Sequence, residues 1–229
     1  MFRYRLTFRK EGPARWIGHL DLSRAFERAF RRAGLPLCYS EGFNPRPRLI
    51  FASPLPLGII GLRELVDVYL RIPVSPEAFK TRLSSVLPEG IELEAVRRVP
   101  REAPVLVAAV DRATYLVEGE VGSETTQAAV DSAVRAVLEA GEIRSIRRGK
   151  GSTKERDIRP GIISLDARCG SGRLAATMTL RAGQQVNIRP EEVVEALLRL
   201  GGLSGNPLDF TYWRTGLFTV VANRMVSLG

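Results

Sequence analysis

Residues 65–95, LVDVYLRIPVSPEAFKTRLSSVLPEGIELEA, decide the fold, because they contain a strand, a helix and a second strand in succession. Apolar and polar residues alternate over 65–72, which is typical of a strand with one buried face. Residues 75–77, Ser-Pro-Glu, then supply a helix N-cap, a first-turn proline and an early acidic residue. Alternation returns over 91–95, so the stretch predicts a β-α-β unit.

The segments before this stretch complete a larger unit. Residues 2–9 alternate between apolar and polar side chains and predict a strand. Apolar residues recur at helical spacing from about 20 to 33, with four arginines on the other side, and Gly34 and Pro36 end this helix. An extended segment near 48–54 follows. The order over the first hundred residues is βαββαβ, the ferredoxin-like unit.

The second half repeats this order with additions. Its predicted elements are a strand at 114–120, a helix at 124–140, strands near 142–147, 160–168 and 173–181, a helix opened by Arg189-Pro190, and a closing strand near 208–221. We therefore predict an α+β fold of tandem ferredoxin-like lobes, with antiparallel sheets and helices on one face. The first lobe covers 1–100, the connection 101–112 and the second lobe 113–229.

Bulk composition limits the possible classes of protein. The 229 residues are 45% hydrophobic and 26% charged, enough for a globular core. The sequence has neither an apolar run long enough to span a bilayer nor an apolar leader at its start, so we expect a cytoplasmic protein without membrane contact. Cys38, Cys169 and the single histidine fit no metal-ligand spacing, and no phosphate-binding or dinucleotide-binding glycine motif occurs. We expect two reduced thiols, no metal and no cofactor.

The charge balance indicates an anionic partner. The net charge is +9, and all but four of the 34 basic residues are arginine, whose planar side chain suits phosphate and carboxylate. The charge alone predicts RNA or DNA as the partner. Two alternatives stay open, because abundant arginine can reflect genome composition and a modest positive charge is common on proteins that bind no nucleic acid.

The most basic segment is residues 144–160, RSIRRGKGSTKERDIRP, which we call the basic hairpin. Gly149 and Gly151 free the backbone between two strands. The cations expected to hold phosphates are Arg144, Arg147, Arg148, Lys150, Lys154 and Arg156. The alternative is a solvated hairpin end without a partner.

A second candidate surface lies at residues 44–48, Asn-Pro-Arg-Pro-Arg. The two prolines fix φ, so the segment loses little freedom when a ligand docks on it. Asn44, Arg46 and Arg48 are the candidate RNA contacts, together with the arginines of the first helix. Tyr39 and Phe43 flank the segment and are expected to stack on bases.

Other charged groups have structural and functional interpretations. Asp157 and Arg159 predict either an internal ion pair at the base of the basic hairpin or a ligand contact. Arg3, Arg5 and Arg9 on the first strand are expected to pair across the sheet with acids. The candidate acids are Asp67, Glu92 and Glu94.

His19 is the single candidate for proton transfer near neutral pH. As a general acid or base it would cleave RNA, with nearby cations stabilising the charge that develops on phosphorus. In the alternative interpretation, His19 and Asp21 cap and orient the start of the first helix. Both interpretations stay open at the level of the sequence.

Residues 18–58, with GFNPRPR at 42–48, resemble the signature region of the radical-SAM-linked family of uncharacterised bacterial proteins, and KERDIRPGI at 154–162 resembles its second motif. The likeness covers essentially the whole chain. The matching motif positions are His19, Asp21, Asn44, Pro45, Asp157, Arg159 and Pro160. The resemblance implies a radical SAM partner, encoded beside or fused to such proteins, and an RNA setting. The chain lacks the cysteine triplet of a radical SAM enzyme, so it is not that enzyme itself.

Three functions therefore compete. The leading hypothesis is a non-catalytic RNA-binding adaptor that presents tRNA or rRNA to a separate radical SAM protein. The second is a module that binds this partner through protein contacts alone. The third is a metal-independent endoribonuclease using His19, because the predicted layout also looks like that of CRISPR repeat-processing endoribonucleases, an analogy of fold.

Overall fold

The computed structural model describes residues 1–149 and 152–229, with the side chains of 147–149 and 152–154 outside the description. Helices and strands are mixed along the chain, and each strand pair with a described register is antiparallel. The chain divides into two units. The first unit contains residues 1–111 and 214–229, and the second contains 112–213.

The first unit contains a helix or strand at each of the six places predicted within the first hundred residues. Its elements are β1 (Phe2–Lys10), α1 (His19–Arg32), β2 (Leu49–Phe51), β3 (Ile60–Leu70), α2 (Pro76–Ser84), β4 (Ile91–Val99) and α3 (Leu106–Ala109), with part of β10 (Thr211–Val221) and β11 (Arg224–Ser227). The strand order is β4-β1-β3-β10, with β2 also on β3 and β11 on β10.

The helices of this unit follow from sequence patterning. In α1 the residues Leu22, Phe26 and Phe30 are buried at helical spacing, and they contact the apolar face of β1. The hydroxyl of Ser75 accepts a hydrogen bond from the N–H of Ala78 at 3.2 Å and caps α2 as predicted. The core of the unit lies between these helices and the sheet.

Two strands differ from their predictions. The segment expected near 48–54 forms only the three-residue β2. β3 begins at residue 60 rather than 65, because the backbone of Gly61 continues the ladder opposite Lys10. The charged residue Glu64 lies inside this strand, where it is buried and forms an ion pair with Arg214.

The second unit contains β5 (Arg112–Glu120), α4 (Gln127–Glu139), β6 (Arg144–Gly149), β7 (Ser152–Asp157), β8 (Ile162–Gly170), β9 (Arg173–Arg181), α5 (Pro190–Gly201) and the first residues of β10. Strands β5, β9 and β8 are neighbours in that order, whereas β6 and β7 form a separate two-stranded sheet. α5 begins at the predicted proline and ends before Gly202, whose positive φ of 60° is accessible to glycine. The basic hairpin implied a strand after Gly151, but no bounds were predicted for β7, since its charged residues show no apolar alternation.

Candidate nucleic-acid interface

Residues 38–48 form a narrow loop that we call the proline-arginine loop. The N–H of Arg48 donates to the carbonyl of Cys38 at 2.9 Å, and the N–H of Ser40 donates to the carbonyl of Arg46 at 2.8 Å. The hydroxyl of Ser40 accepts the N–H of Arg46 at 3.0 Å. These bonds pair the two arms of the loop and leave residues 41–45 as its tip. The two prolines and this pairing both restrict the backbone.

The tip presents polar and aromatic groups to solvent. Phe43 is fully exposed, and Asn44 and Arg46 are exposed beside it. Tyr39 is also exposed, at 45%. The guanidinium of Arg48 lies 4.8 Å from the ring centre of Tyr69, which fixes its plane by a cation-π contact. The loop therefore combines an aromatic face with hydrogen-bond donors and two positive charges.

The first helix adds a row of exposed cations, as its sequence predicted. These are Arg24, Arg28, Arg31 and Arg32. Arg24 pairs with Asp21 at 3.2 Å, and both side chains are more than half exposed, so solvent screens this pair. Arg32 donates to the carbonyl of Val86. The row keeps most of its positive charge available to a ligand.

Two of the three arginines of β1 face an acid across the sheet, as predicted, and the third does not. Arg5 makes a buried two-pronged ion pair with Asp67, at 2.8 and 3.0 Å, and Arg3 lies 3.8 Å from the same carboxylate. Arg9 pairs instead with Glu11 at 3.1 Å, so the expected pairing with Glu92 or Glu94 is wrong. The alternation of β1 is typical of a strand with one buried face, but both faces of β1 are buried, since its arginine face packs around this carboxylate.

His19 is the first residue of α1 and is partly buried. Its ring meets that of Phe51 edge-on, with centroids 5.1 Å apart. Burial lowers the pKa of His19 below its usual 6.5, and the positive charge of Arg214 lowers it further. Within the described part of the chain, its imidazole makes no hydrogen bond. The capping interpretation is wrong in its detail, since Gly18 is the N-cap, no side chain caps it, and Asp21 binds Arg24.

Two buried cations of the first unit were not predicted from the sequence, and one of them, Arg214, affects the pKa of His19. Arg214 is 2% exposed, and its guanidinium binds both carboxylate oxygens of Glu64 and the carbonyl of Ser53. Lys10 donates to the carbonyl of Arg15 at 3.2 Å. Burial lowers the pKa of Lys10, against the opposing effect of the Glu64 charge. The sequence does contain a signal for the burial of Lys10, because Lys10 continues the apolar alternation of β1 and therefore lies on its inner face.

In the second unit, the acids that lie beside the basic hairpin bind two of its candidate cations. Arg144 lies 3.2 Å from Glu142 and 3.4 Å from Glu155, and hydrogen bonding to Glu142 is the main cause that raises its pKa. Arg156 binds Glu192 and the carbonyl of Asn187. Lys150 lies outside the described residues, and the side chains of Arg147, Arg148 and Lys154 lie outside them as well.

The Asp-Ile-Arg-Pro motif closes the base of the hairpin. One carboxylate oxygen of Asp157 accepts the N–H groups of Ile143 at 2.8 Å and Arg159 at 3.0 Å. The guanidinium of Arg159 donates to the carbonyls of Leu138 and Ile162. The expected ion pair between Asp157 and Arg159 is absent from the described contacts, and main-chain hydrogen bonds take its place. Pro160 opens a short 3₁₀ turn over 159–161.

Two further features of the described residues bear on function. No group of three or more His, Cys, Asp and Glu side chains within them is arranged to hold a metal ion. None of the described helices combines the length and apolar character needed to cross a bilayer. Cys38 and Cys169 are free thiols.

The fold and these surfaces define a protein of mixed α and β structure, with mostly antiparallel strands and arginine-rich exposed elements in its first unit. The chain belongs to the family of uncharacterised proteins conserved in bacteria (DUF2344), whose family model matches residues 3–190. The expected membership of an uncharacterised bacterial family is confirmed. The family description names no radical SAM protein, so that association stays a prediction.

Comparison with solved structures gives likeness in fold. A chain in the crystal structure of a Cbf5-Nop10-Gar1 complex is 10% identical with a TM-score of 0.50, over 93% of this chain and 48% of that chain. A chain in the archaeal box H/ACA sRNP Nop10-Cbf5 complex is 10% identical with a TM-score of 0.45, over 92% and 46%. This chain thus spans about half the length of those chains. The comparison with curated proteins gives no match.

Proposed function

We propose that this protein is a non-catalytic RNA-binding protein whose principal contact is the proline-arginine loop. The observation that carries the proposal is the full exposure of Phe43 beside Asn44 and Arg46 on a loop with two paired arms. Exposing a phenylalanine ring to water is unfavourable in free energy, and a base stacked on the ring would remove this apolar surface from water. The neighbouring amide and guanidinium suit base edges and phosphates.

The exposed arginines of α1 support a longer path for the RNA backbone. Their charge is weakly compensated, since Asp21 is the one acid paired with them among the described residues and that pair is solvent-screened. The basic hairpin is a second proposed contact in the other unit. Arg144 and Arg156 are weaker candidates there than the sequence suggested, because acids already bind them. Arg147, Arg148, Lys150 and Lys154 stay proposed phosphate contacts.

The non-catalytic part of the proposal rests on His19. A general acid and base works best with a pKa near the working pH, and burial together with the charge of Arg214 lowers the pKa of His19 and favours the neutral imidazole. Asp21 binds Arg24 rather than orienting the imidazole. The endoribonuclease alternative therefore loses support. It is tested by incubating His19→Ala and the unchanged protein with tRNA and rRNA, where cleavage by the unchanged protein alone would restore it.

The resemblance to the radical-SAM-linked family adds the finer proposal of an adaptor for a separate radical SAM protein acting on tRNA or rRNA. A protein-only module is the second candidate, and the exposure of Trp16, Leu20 and Leu57 favours it. Pull-down of the radical SAM protein with and without nuclease separates the two. A complex that survives nuclease and contains no RNA favours the protein-only module.

The tandem ferredoxin-like architecture is likewise a proposal, with lobes at 1–100 and 113–229. The order β4-β1-β3, with β2 on β3, supports it in the first unit, and the order β5-β9-β8 supports it in the second. An experimental structure that keeps these orders within each lobe is the expected result. Different strand neighbours would overturn the proposal.

The RNA proposal is tested by filter binding to bulk tRNA and rRNA fragments across a salt series. We expect affinity to fall steeply with salt, and Arg46→Ala to reduce the slope of log K against log salt by about 0.7. Phe43→Ser should weaken binding by about 1–3 kcal/mol through loss of stacking. Arg82→Ala on α2 and Leu208→Ser are matched controls with exposed side chains, and they should change little. No RNA affinity, or variants indistinguishable from the controls, would refute the proposal.

A further inference from the structure

A cavity in the first unit is lined by cationic and aromatic side chains. Its volume is about 430 Å³. The residues that characterise it are Arg3, Arg48, Arg98, Arg101, Phe2 and Tyr69. Among the described residues that line it, none is acidic. Four guanidinium groups around one space without a carboxylate strongly favour an anion.

The buried wall of the cavity holds an incompletely neutralised cation. Arg3 is 8% exposed, and its Nη2 donates to the carbonyls of Pro100 at 3.2 Å and Ala103 at 2.8 Å. Its buried Nε has no hydrogen-bond partner among the described residues. The nearest carboxylate, that of Asp67, lies 3.8 Å from Nε and already accepts two bonds from Arg5.

The guanidiniums of the rim are held in place by aromatic rings. Arg48 lies 4.8 Å from the ring centre of Tyr69, and Arg98 lies 4.8 Å from that of Phe2. Stacking uses the faces of the guanidinium groups and leaves N–H edges that can donate, of which Nη1 of Arg48 contacts the sulfur of Met1 at 3.5 Å. Arg101 is exposed and pairs with no acid within the described part of the chain. Donors on several sides therefore surround the cavity.

A further guanidinium, that of Arg97, lies on the strand next to Arg5 and adds positive charge near Asp67. Arg97 donates to the same carbonyl, that of Leu228, as Arg5. Burial lowers the pKa of Arg97, and the charge of Arg5 lowers it further while Asp67 opposes the change. One buried carboxylate thus faces two buried guanidiniums, those of Arg3 and Arg5, with the exposed Arg97 beside them, and an anion in the cavity would relieve the excess positive charge.

We propose that this cavity binds a terminal phosphate monoester, carried either by the end of an RNA strand or by a free nucleotide. A monoester carries close to two negative charges and three acceptor oxygens, which matches several convergent guanidiniums. A chain terminus can enter a cavity and reach its buried arginine, whereas an internal phosphodiester carries nucleotides on both sides. The RNA form of this inference rests on the proposed function.

The test compares one short single-stranded RNA with a 5′-phosphate and with a 5′-hydroxyl, each labelled at the 3′ end and followed by fluorescence anisotropy. We expect the 5′-phosphate to tighten binding by about tenfold or more. Arg98→Ala and Arg101→Ala should remove this ratio and leave the affinity for the 5′-hydroxyl RNA nearly unchanged. Arg82→Ala, an exposed arginine on α2, is the charge-matched control and should keep the ratio.

Competition with a nucleoside 5′-monophosphate, a nucleoside and inorganic phosphate identifies the source of the phosphate. If neither RNA binds but the monophosphate does, and Arg98→Ala abolishes its binding, the cavity proposal stands with a free nucleotide and the RNA proposal fails. If both RNAs bind with equal affinity and the monophosphate does not bind, the cavity proposal fails and the RNA proposal stands. Phe43→Ser should weaken both RNAs equally, because it acts at the proline-arginine loop.

Discussion

The substitution Asp67→Asn is expected to lower the stability of the first unit strongly, because it removes a buried negative charge. Asp67 is completely buried, and its carboxylate accepts charge-assisted hydrogen bonds from Arg5 at 2.8 and 3.0 Å while facing Arg3 at 3.8 Å. The amide keeps the shape and one acceptor oxygen but removes the charge. Two buried guanidiniums then lose their counter-ion, and such a loss destabilises proteins by about 3–5 kcal/mol.

Urea unfolding followed by circular dichroism measures this change. With a slope of about 2 kcal/mol per molar urea, a loss of about 3 kcal/mol moves the midpoint down by about 1.5 M. Glu92→Gln on β4 is the control, because it removes an exposed carboxylate and should change stability by no more than about 0.5 kcal/mol. A loss below about 1 kcal/mol for Asp67→Asn would show that the arginines need no buried counter-charge, and the electrostatic reasoning would fail.

Three further predictions concern other parts of the chain. Because the folded pKa of His19 is lowered, its contribution to stability falls as the pH drops below 6.5, and His19→Gln should flatten that part of a stability-pH profile. The pKa of Glu192 is lowered in spite of burial, because the N–H of Arg189 and the side chain of Arg156 bind it, so Glu192→Gln should remove a loss of stability that begins below pH 4.5. Gly90→Ala should lower the melting temperature, since φ is +81° and a Cβ would lie 2.4 Å from a carbonyl oxygen. Gly141→Ala, with open space around it, should not lower it.

Short-range sequence patterns correctly predicted those helices and strands whose ends depend on residues close together in the chain. β9 spans Arg173–Arg181, as its alternation indicated, and α2 and α5 both begin at the prolines that the sequence identified. Helix caps and short-range periodicity act within one or two turns, so a sequence contains them directly. The mixed α and β class followed from the same signals.

The ends of β2 and β3 could not be predicted in this way. Ladder pairing extends β3 across Gly61 and Glu64, which have low strand propensity, because the backbone of β1 lies alongside them. Glu64 is stabilised there by Arg214, which lies 150 residues later in the chain. A contact between such distant positions has no local signature.

Separation along the chain also explains why the sequence predicted the proline-arginine loop as a binding surface and missed the cavity. Residues 44–48 were identified because their prolines, amide and arginines are adjacent in the chain. The cavity was missed because its arginines come from β1, the proline-arginine loop, β4 and the segment after β4. Sheet order β4-β1-β3 brings the first and third of these together, and that order is a property of the fold.

Stability and anion binding are coupled in the first unit through one residue. Arg3 faces the carboxylate of Asp67 on one side and the cavity on the other. A second buried acid beside it would complete the neutralisation of the sheet charges, but it would also repel the phosphate that we propose for the cavity. The unit instead keeps one buried carboxylate beside two buried guanidiniums. A phosphate bound to the folded state would then add stability through mass action, in proportion to the logarithm of its concentration once the site is saturated. A buried guanidinium with an unpartnered nitrogen is costly by itself, and a phosphate in the cavity would supply the missing partner of Arg3.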